Sequence, residues 1–373
     1  MRINPTLAVL PLQPNVSTAA TSTINPVRRR SYVNRLWKVA LTLAFAITLA
    51  QSSFAQLIMP QGRLTLASNT PVMTSDALNA TTVYYTPYQG NTVPYYNGSA
   101  YVPSVFSQLQ LNLSSSTQLQ GEIYDLFINY GNPGGGSNRL FLCAGPAWSS
   151  LTSRGSAALL TMQNGLWVNN AAISCYNQAA TVSAPAGTVD YVGSIYMTGN
   201  GETSMQFKPM PATGGTSNVL GVYNAYNRVR TISRNIDSVT HGWTDTTVGW
   251  ELLDTANSTS ANQNIISFLD GMPPAGNSSI DAQVQVNILT SSASVVGFDA
   301  VSEDSTAPTN PGGTEGISNS TQTPFGFVGV AFDHFQPQLG LHYVAAIEYS
   351  TGSTVTFLNG SGTAEELKVE LEM

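Results

Sequence analysis

The chain has 373 residues, enough to bury at least one sizeable core and a natural length for two domains. Only 9% of its residues are charged, far below the roughly 25% usual in soluble domains. Six of the 14 basic residues lie before residue 56 and all 21 acidic ones after it. The body therefore carries a net charge of −13, which argues against general nucleic-acid binding, where a basic footprint is expected.

The N-terminal segment has the three-part plan of a secretory signal. Arg28 to Lys38 is positive, Val39 to Ala50 is apolar, and Ser53-Phe54-Ala55 offers small residues at −3 and −1 of a cleavage point before Gln56. A 12-residue apolar run is short for a membrane span, which takes about 20; an uncleaved anchor is the other reading. Arg29-Arg30 adds a weak twin-arginine flavour.

From Gly62 onward the hydrophobic period is two, and no segment keeps a helical period for long. Leu64 and Leu66 alternate with Arg63 and Thr65. A tyrosine-rich run follows, with Tyr84, Tyr88 and Tyr96 as candidate contacts. Such rings either stack on sugars and partner surfaces or pack across strands. Asn97-Gly98 and Asn164-Gly165 signal hairpins, because both residue types tolerate positive φ. Leu109, Leu111 and Leu113 alternate with polar residues, and Glu122 to Tyr130 is apolar on both faces, as in a central strand. Cys143 and Cys175 are a candidate disulfide closing a loop of about 30 residues; two separate buried thiols are the other reading.

The first β domain is expected over residues 60–208, followed by a Pro/Gly-rich linker at 209–217 and a second β domain over 218–373. Asn218 to Arg234 reads as one long strand with Arg228, Arg230 and Arg234 on one face. These arginines either pair internally, with Glu251 or Asp254 for example, or bind an anionic sugar or an acidic neighbouring subunit. The acidic body favours internal pairing. Val284, Val286 and Ile288 alternate cleanly with Gln283, Gln285 and Asn287. Residues 302–323 read as an exposed loop. The last strand sets Leu367, Val369 and Leu371 against Glu366, Lys368, Glu370 and Glu372, a charged face suited to a sheet edge. Short strands punctuated by Gly/Asn turns predict an all-β chain of two antiparallel β-sandwich or jelly-roll-like domains.

Catalytic and cofactor motifs are missing from the sequence. There is no nucleophile elbow, phosphate loop or H-E-x-x-H, and His241, His334 and His342 have no zinc spacing with the cysteines. No cofactor or metal is therefore expected. Glu122 with Asp125, or Asp245, Glu251 and Asp254, are acids at strand ends, where solvation or pairing is the commoner role than hydrolysis. His342 and Glu348 share a strand face but stand some 20 Å apart along it. N-x-S/T triplets at Asn79, Asn97, Asn112, Asn257 and Asn359 follow from composition.

Particular strings also resemble a known group. Gly62-Arg63-Leu64-Thr65-Leu66, Thr70-Pro71-Val72-Met73-Thr74 and Val83-Tyr84-Tyr85-Thr86-Pro87-Tyr88 resemble the opening of proteins that tailed bacteriophages and prophages encode among their structural genes. Gly145-Pro146-Ala147-Trp148 with Arg154-Gly155, Leu220 to Arg230, and Pro337 to Tyr343 are similar to later landmarks. The resemblance implies a non-enzymatic virion component, tail-associated, decorating or host-facing. Its partners would be other virion or surface proteins, a second copy of itself, or a glycan. A virion protein assembled in the cytoplasm has no evident need of a secretion signal. Residues 1–55 thus reflect a mis-set start or fusion, or else mark an exported bacterial carbohydrate-binding or adhesin-like protein. A secreted glycoside-active enzyme is the third reading.

Overall fold

The computed structural model describes residues 59–373, apart from 179, 208–216, 238–240, 254–263, 273–278, 291–294, 310–313, 320–324, 353–354 and 360–364. The signal-like segment 1–55, the linker 209–217 except Ser217, Asp254 and Asn257 lie outside the described residues.

The fold is all-β. Among the described residues the only helical turn is the three-residue 3₁₀ turn Ser156–Ala158, and the sheets are built from antiparallel pairs except where Asn218–Leu220 runs parallel to Ile265–Asp270. The described residues form two eight-stranded sheets, a six-stranded sheet, a three-stranded sheet and a hairpin.

Alternation explains the best-formed strands. Ile280–Thr290 alternates buried and half-buried positions along its whole length, with Val284, Val286 and Ile288 inside. It lies at the centre of the six-stranded sheet, paired along its full length with Phe325–Phe335. Its other side takes Val355–Asn359 and Glu365–Glu372. Each fully buried aliphatic side chain contributes about 2 kcal/mol through water exclusion. Leu367, Val369 and Leu371 point inward as expected, but Glu365–Glu372 is not an edge. It sits between Arg230–Asp237 and Ile280–Thr290, so its charged face meets cross-strand partners: Arg230 pairs with Glu370 and Arg234 with Glu366.

Ile123–Gly131 is central, flanked by Arg139–Ala147 and Asp190–Tyr196, and six consecutive positions are buried. The Asn164-Gly165 turn joins Leu160–Gln163 to Leu166–Asn169. Both turn residues have positive φ, 52° and 78°, as the tight hairpin turn requires. Residues 302–323 are not all loop: Thr314–Asn319 forms a strand on Val295–Glu303.

Asn218 to Arg234 is three strands rather than one: Asn218–Leu220, Val222–Asn224 and Arg230–Asp237. The break has a specific cause. Asn227 takes a left-handed conformation (φ 55°) and its Nδ2 donates to the carbonyls of Pro60 and Gly62 at 2.8 and 3.0 Å. The three strands join three different sheets.

Pairings cross the expected boundary at 209–217. Val222–Asn224 adds to Asp190–Tyr196, and Thr203–Met205 pairs with Asn218–Leu220. One apolar core runs from Leu64 and Val83 through Leu126 and Ile128 to Val284, Phe357 and Leu371, and residues Leu57–Met373 form one unit.

Candidate functional site

A broad groove lies on the N-terminal part of this unit, where three segments distant in sequence meet. The hairpin Thr92–Tyr96/Tyr101–Val105 leads through Phe106 into Leu109–Asn112, forming one wall. Tyr130 and Arg139, at the ends of two paired strands, form another, and Asn177-Gln178 closes the end. The groove encloses about 550 Å³.

Its walls are held from behind. Phe106 N–H donates to Asn91 O at 2.8 Å, and the Phe106 ring stacks on Tyr85 with centroids 5.2 Å apart. Tyr85 is buried, and its hydroxyl accepts Gly62 N–H at 3.0 Å. Gln108 accepts from Thr86 Oγ1 at 3.0 Å and donates to Ser68 Oγ at 2.9 Å, so its amide is fixed before any ligand arrives. Asn177 Nδ2 donates to Leu142 O at 2.8 Å. Cys143 and Cys175 form a disulfide, Cα atoms 5.5 Å apart, joining the strand of Arg139 to the strand of Asn177 just under the groove.

The surface so presented is mixed polar and apolar and weakly charged, with Val105 exposed beside the polar groups. Gln108, Gln110, Asn177 and Gln178 supply amides, Arg139 the one cation, and Tyr130 an exposed ring resting on Tyr95 with centroids 4.4 Å apart. Amides, a planar cation and an aromatic face are the groups that hydrogen-bond hydroxyls and stack on sugar rings.

The residues singled out in the sequence sit elsewhere. Tyr84 is half-buried opposite Gln110, next to the groove but not in its lining. Tyr88 is exposed with the Arg63 guanidinium 5.5 Å from its ring, and Tyr96 packs on Tyr101 at 5.6 Å. Arg230 bonds Glu370 through Nε at 2.6 Å and Asp281 at 3.2 Å, and Arg234 reaches Glu366 at 3.3 Å. The arginines thus pair with acids of the two nearest strands in the same sheet rather than with Glu251. Arg228 lies outside the strands, so the three do not share a strand face. It flanks Asp270 in a separate small cavity, where burial lifts the Asp270 carboxyl to about 6 despite a bond from Met272 N–H and the nearby Arg228 and Arg154 guanidinium groups.

The strings that resemble phage proteins are interlocks of the fold. Arg154 is buried against Trp148, 4.3 Å from its ring, and grips Asp125 with two bonds of 2.6 and 3.1 Å. It also donates to Gly271 O, while Ser194 Oγ donates to Asp125 at 2.7 Å. Gly271 is required here, since a Cβ would strike the Tyr191 and Ser194 hydroxyls. Asn224 accepts Leu64 N–H at 2.6 Å and donates back to Leu64 O. His342 meets Asp304 at 2.5 Å. Asp125 is therefore committed to an ion pair. Glu348, by contrast, meets Asp245 and Glu251, and its carboxyl is pushed well above the usual range by burial, then by those acids and Glu365, against a bond from Trp243.

The groove escapes sequence reasoning because its lining comes from separate segments. The one available signal is the polar half of the Leu109/Leu111 alternation, which carries Gln108 and Gln110.

No protein-family model matches this chain, and no curated protein sequence matches it. Among solved structures it is similar to dimeric latent PorU from Porphyromonas gingivalis, with a TM-score of 0.25 and 10% identity over 69% of this chain and 24% of that one. It is also similar to the insecticidal delta-endotoxin Cry8Ea1 from Bacillus thuringiensis, with a TM-score of 0.17 and 6% identity over 84% of this chain and 52% of the toxin. The chain thus spans a quarter to a half of the length of these neighbours. TM-scores of this size do not define a shared fold, and no property of either protein is carried over.

Proposed function

We propose that this chain is a non-enzymatic surface-recognition protein, of the virion-associated type its landmarks resemble, and that it binds an uncharged glycan along the groove. The observation that carries this reading is the groove's make-up: a pre-set aromatic, guanidinium and amide surface on a disulfide-held frame. Its lining residues, all described, include no carboxylate, whereas the usual hydrolysis of a glycosidic bond takes two. Fixing Gln108 and Asn177 in advance lowers the entropy cost of binding.

A glycan array probed with the purified protein tests the reading, followed by incubation with the best ligand. Binding without release of shorter sugars is expected. An empty array, or hydrolysis that disappears when one carboxylate is removed, would overturn it. The signal-like segment favours the exported, bacterial version of the same recognition role, and N-terminal sequencing separates the two. A mature protein starting at Gln56 supports export, and an intact N-terminus supports a virion protein.

A further inference from the structure

Away from the groove, three carboxylates converge where the two large sheets of the C-terminal part meet. Glu251, on the strand Val248–Leu252, stands directly opposite Glu348 on Gly340–Thr351. Asp245, at the end of His241–Asp245 in the six-stranded sheet, comes from the facing side. One oxygen from each of the three lies within 4.8 Å of the others. Asp299 takes the register position opposite Glu348 on its other flank.

Hydrogen bonding aims two of these groups inward. Asp245 Oδ1 accepts Thr247 N–H at 2.6 Å, and Glu348 Oε2 accepts Trp243 Nε1–H at 2.7 Å. The second oxygen of each, Asp245 Oδ2 and Glu348 Oε1, is buried with no donor, and the Glu348 side chain is fully buried. Among the described residues the ion pairs of lysine, arginine and histidine are made with other acids. Directly opposed like charges destabilise a sheet, and a buried anionic oxygen without a donor is costly. A cation held between the three removes both penalties.

We propose that Asp245, Glu251 and Glu348 bind a divalent calcium-type cation that pins the two facing sheets together. The donors are all carboxylate oxygens, which suit a hard cation rather than zinc or copper. Calcium holds oxygens at about 2.3–2.6 Å, so two ligands of one ion stand at most about 5 Å apart, and the three oxygens, all within 4.8 Å of one another, meet that limit. Magnesium demands near-ideal octahedral geometry at about 2.0–2.1 Å and is usually held by only one or two carboxylates. Glu251 is only half-buried, leaving a solvent-facing side from which the ion enters and waters complete its shell. An extracellular module of this kind works with calcium at about 0.1–1 mM.

Terbium, a luminescent calcium substitute, tests the proposal, because Trp243 bonds a proposed ligand and is placed to sensitise it. Excitation of the wild-type protein through tryptophan is expected to give terbium emission that calcium displaces. Calcium chloride at about 1 mM, compared with EDTA, is expected to raise the melting temperature by several degrees, and magnesium to do so less. Glu348→Gln and, independently, the milder Glu251→Gln are expected to weaken terbium binding at least about tenfold. Trp243→Phe should weaken the emission but keep the calcium-dependent stabilisation. Melting curves identical in calcium and EDTA, with no terbium emission and a Glu348→Gln protein more stable than wild type, would overturn the proposal and leave a proton as the neutralising charge.

Discussion

Replacing Asp270 by asparagine should stabilise this protein at neutral pH and leave it unchanged in acid. Asp270 ends the strand Ile265–Asp270 and is 7% exposed. Its Oδ1 accepts Met272 N–H at 3.0 Å, a bond asparagine can keep. Burial raises its pKa from 3.8 to about 6, and the gap corresponds to on the order of 3 kcal/mol. The sign follows from proton linkage. Below about pH 3 the carboxyl is largely protonated whether folded or unfolded, so it costs almost nothing. Between pH 4 and 6 the unfolded chain releases its proton while the folded one retains it, and stability falls as pH rises; above pH 6 the loss is complete. Asparagine never ionises, so the difference between variant and wild type should grow from near zero at about pH 3 to about 3 kcal/mol at about pH 7. Guanidinium unfolding of both proteins at several pH values measures that difference while other titrations cancel. An Asp270→Asn protein that is destabilised at pH 7, or a difference independent of pH, would refute the reasoning.

Other outcomes are equally concrete. Asp190 is fully buried with no donor to either oxygen, and burial raises its pKa well above the ordinary value; Asp190→Asn should therefore raise the melting temperature at pH 7. Arg154→Ala strands Asp125 in the interior and should cost about 3–5 kcal/mol by denaturant titration, whereas replacing both by apolar side chains should cost far less. Removing the disulfide with Cys143→Ala/Cys175→Ala opens a loop spanning 32 residues, a loss of about 4 kcal/mol on chain-entropy grounds. Over about 315 residues that is a drop of about 5–6 °C in melting temperature by calorimetry, and reductant should produce the same drop in wild type.

Local rules made much of the fold legible. The alternation at Val284–Ile288 and Leu367–Leu371 identifies strands with one buried face, and the Asn164-Gly165 pair places a turn, because these depend on neighbours in sequence. The rest depends on partners the sequence does not name. Arg230–Asp237 separates from Val222–Asn224 because Asn227 is captured by Pro60 and Gly62, more than 160 residues away. Glu365–Glu372 looks like an edge until Arg230–Asp237 pairs with it. Asp245 and Glu251 are visible as acids near strand ends and Glu348 as an acid on the strand face it shares with His342, but their convergence follows from strand register and sheet packing. The groove is hidden for the same reason: Gln108, Tyr130, Arg139 and Asn177 come together only through the cross-strand pairings and the Cys143–Cys175 bond.

The recognition role rests most directly on the groove, and calorimetric titration of the best array ligand into wild type, Tyr130→Ala and Arg139→Ala tests it. Both side chains are exposed, so the variants should melt with the wild type while each weakens binding by at least about tenfold, or 1.4 kcal/mol. Unchanged affinity in both variants would contradict glycan recognition at this groove.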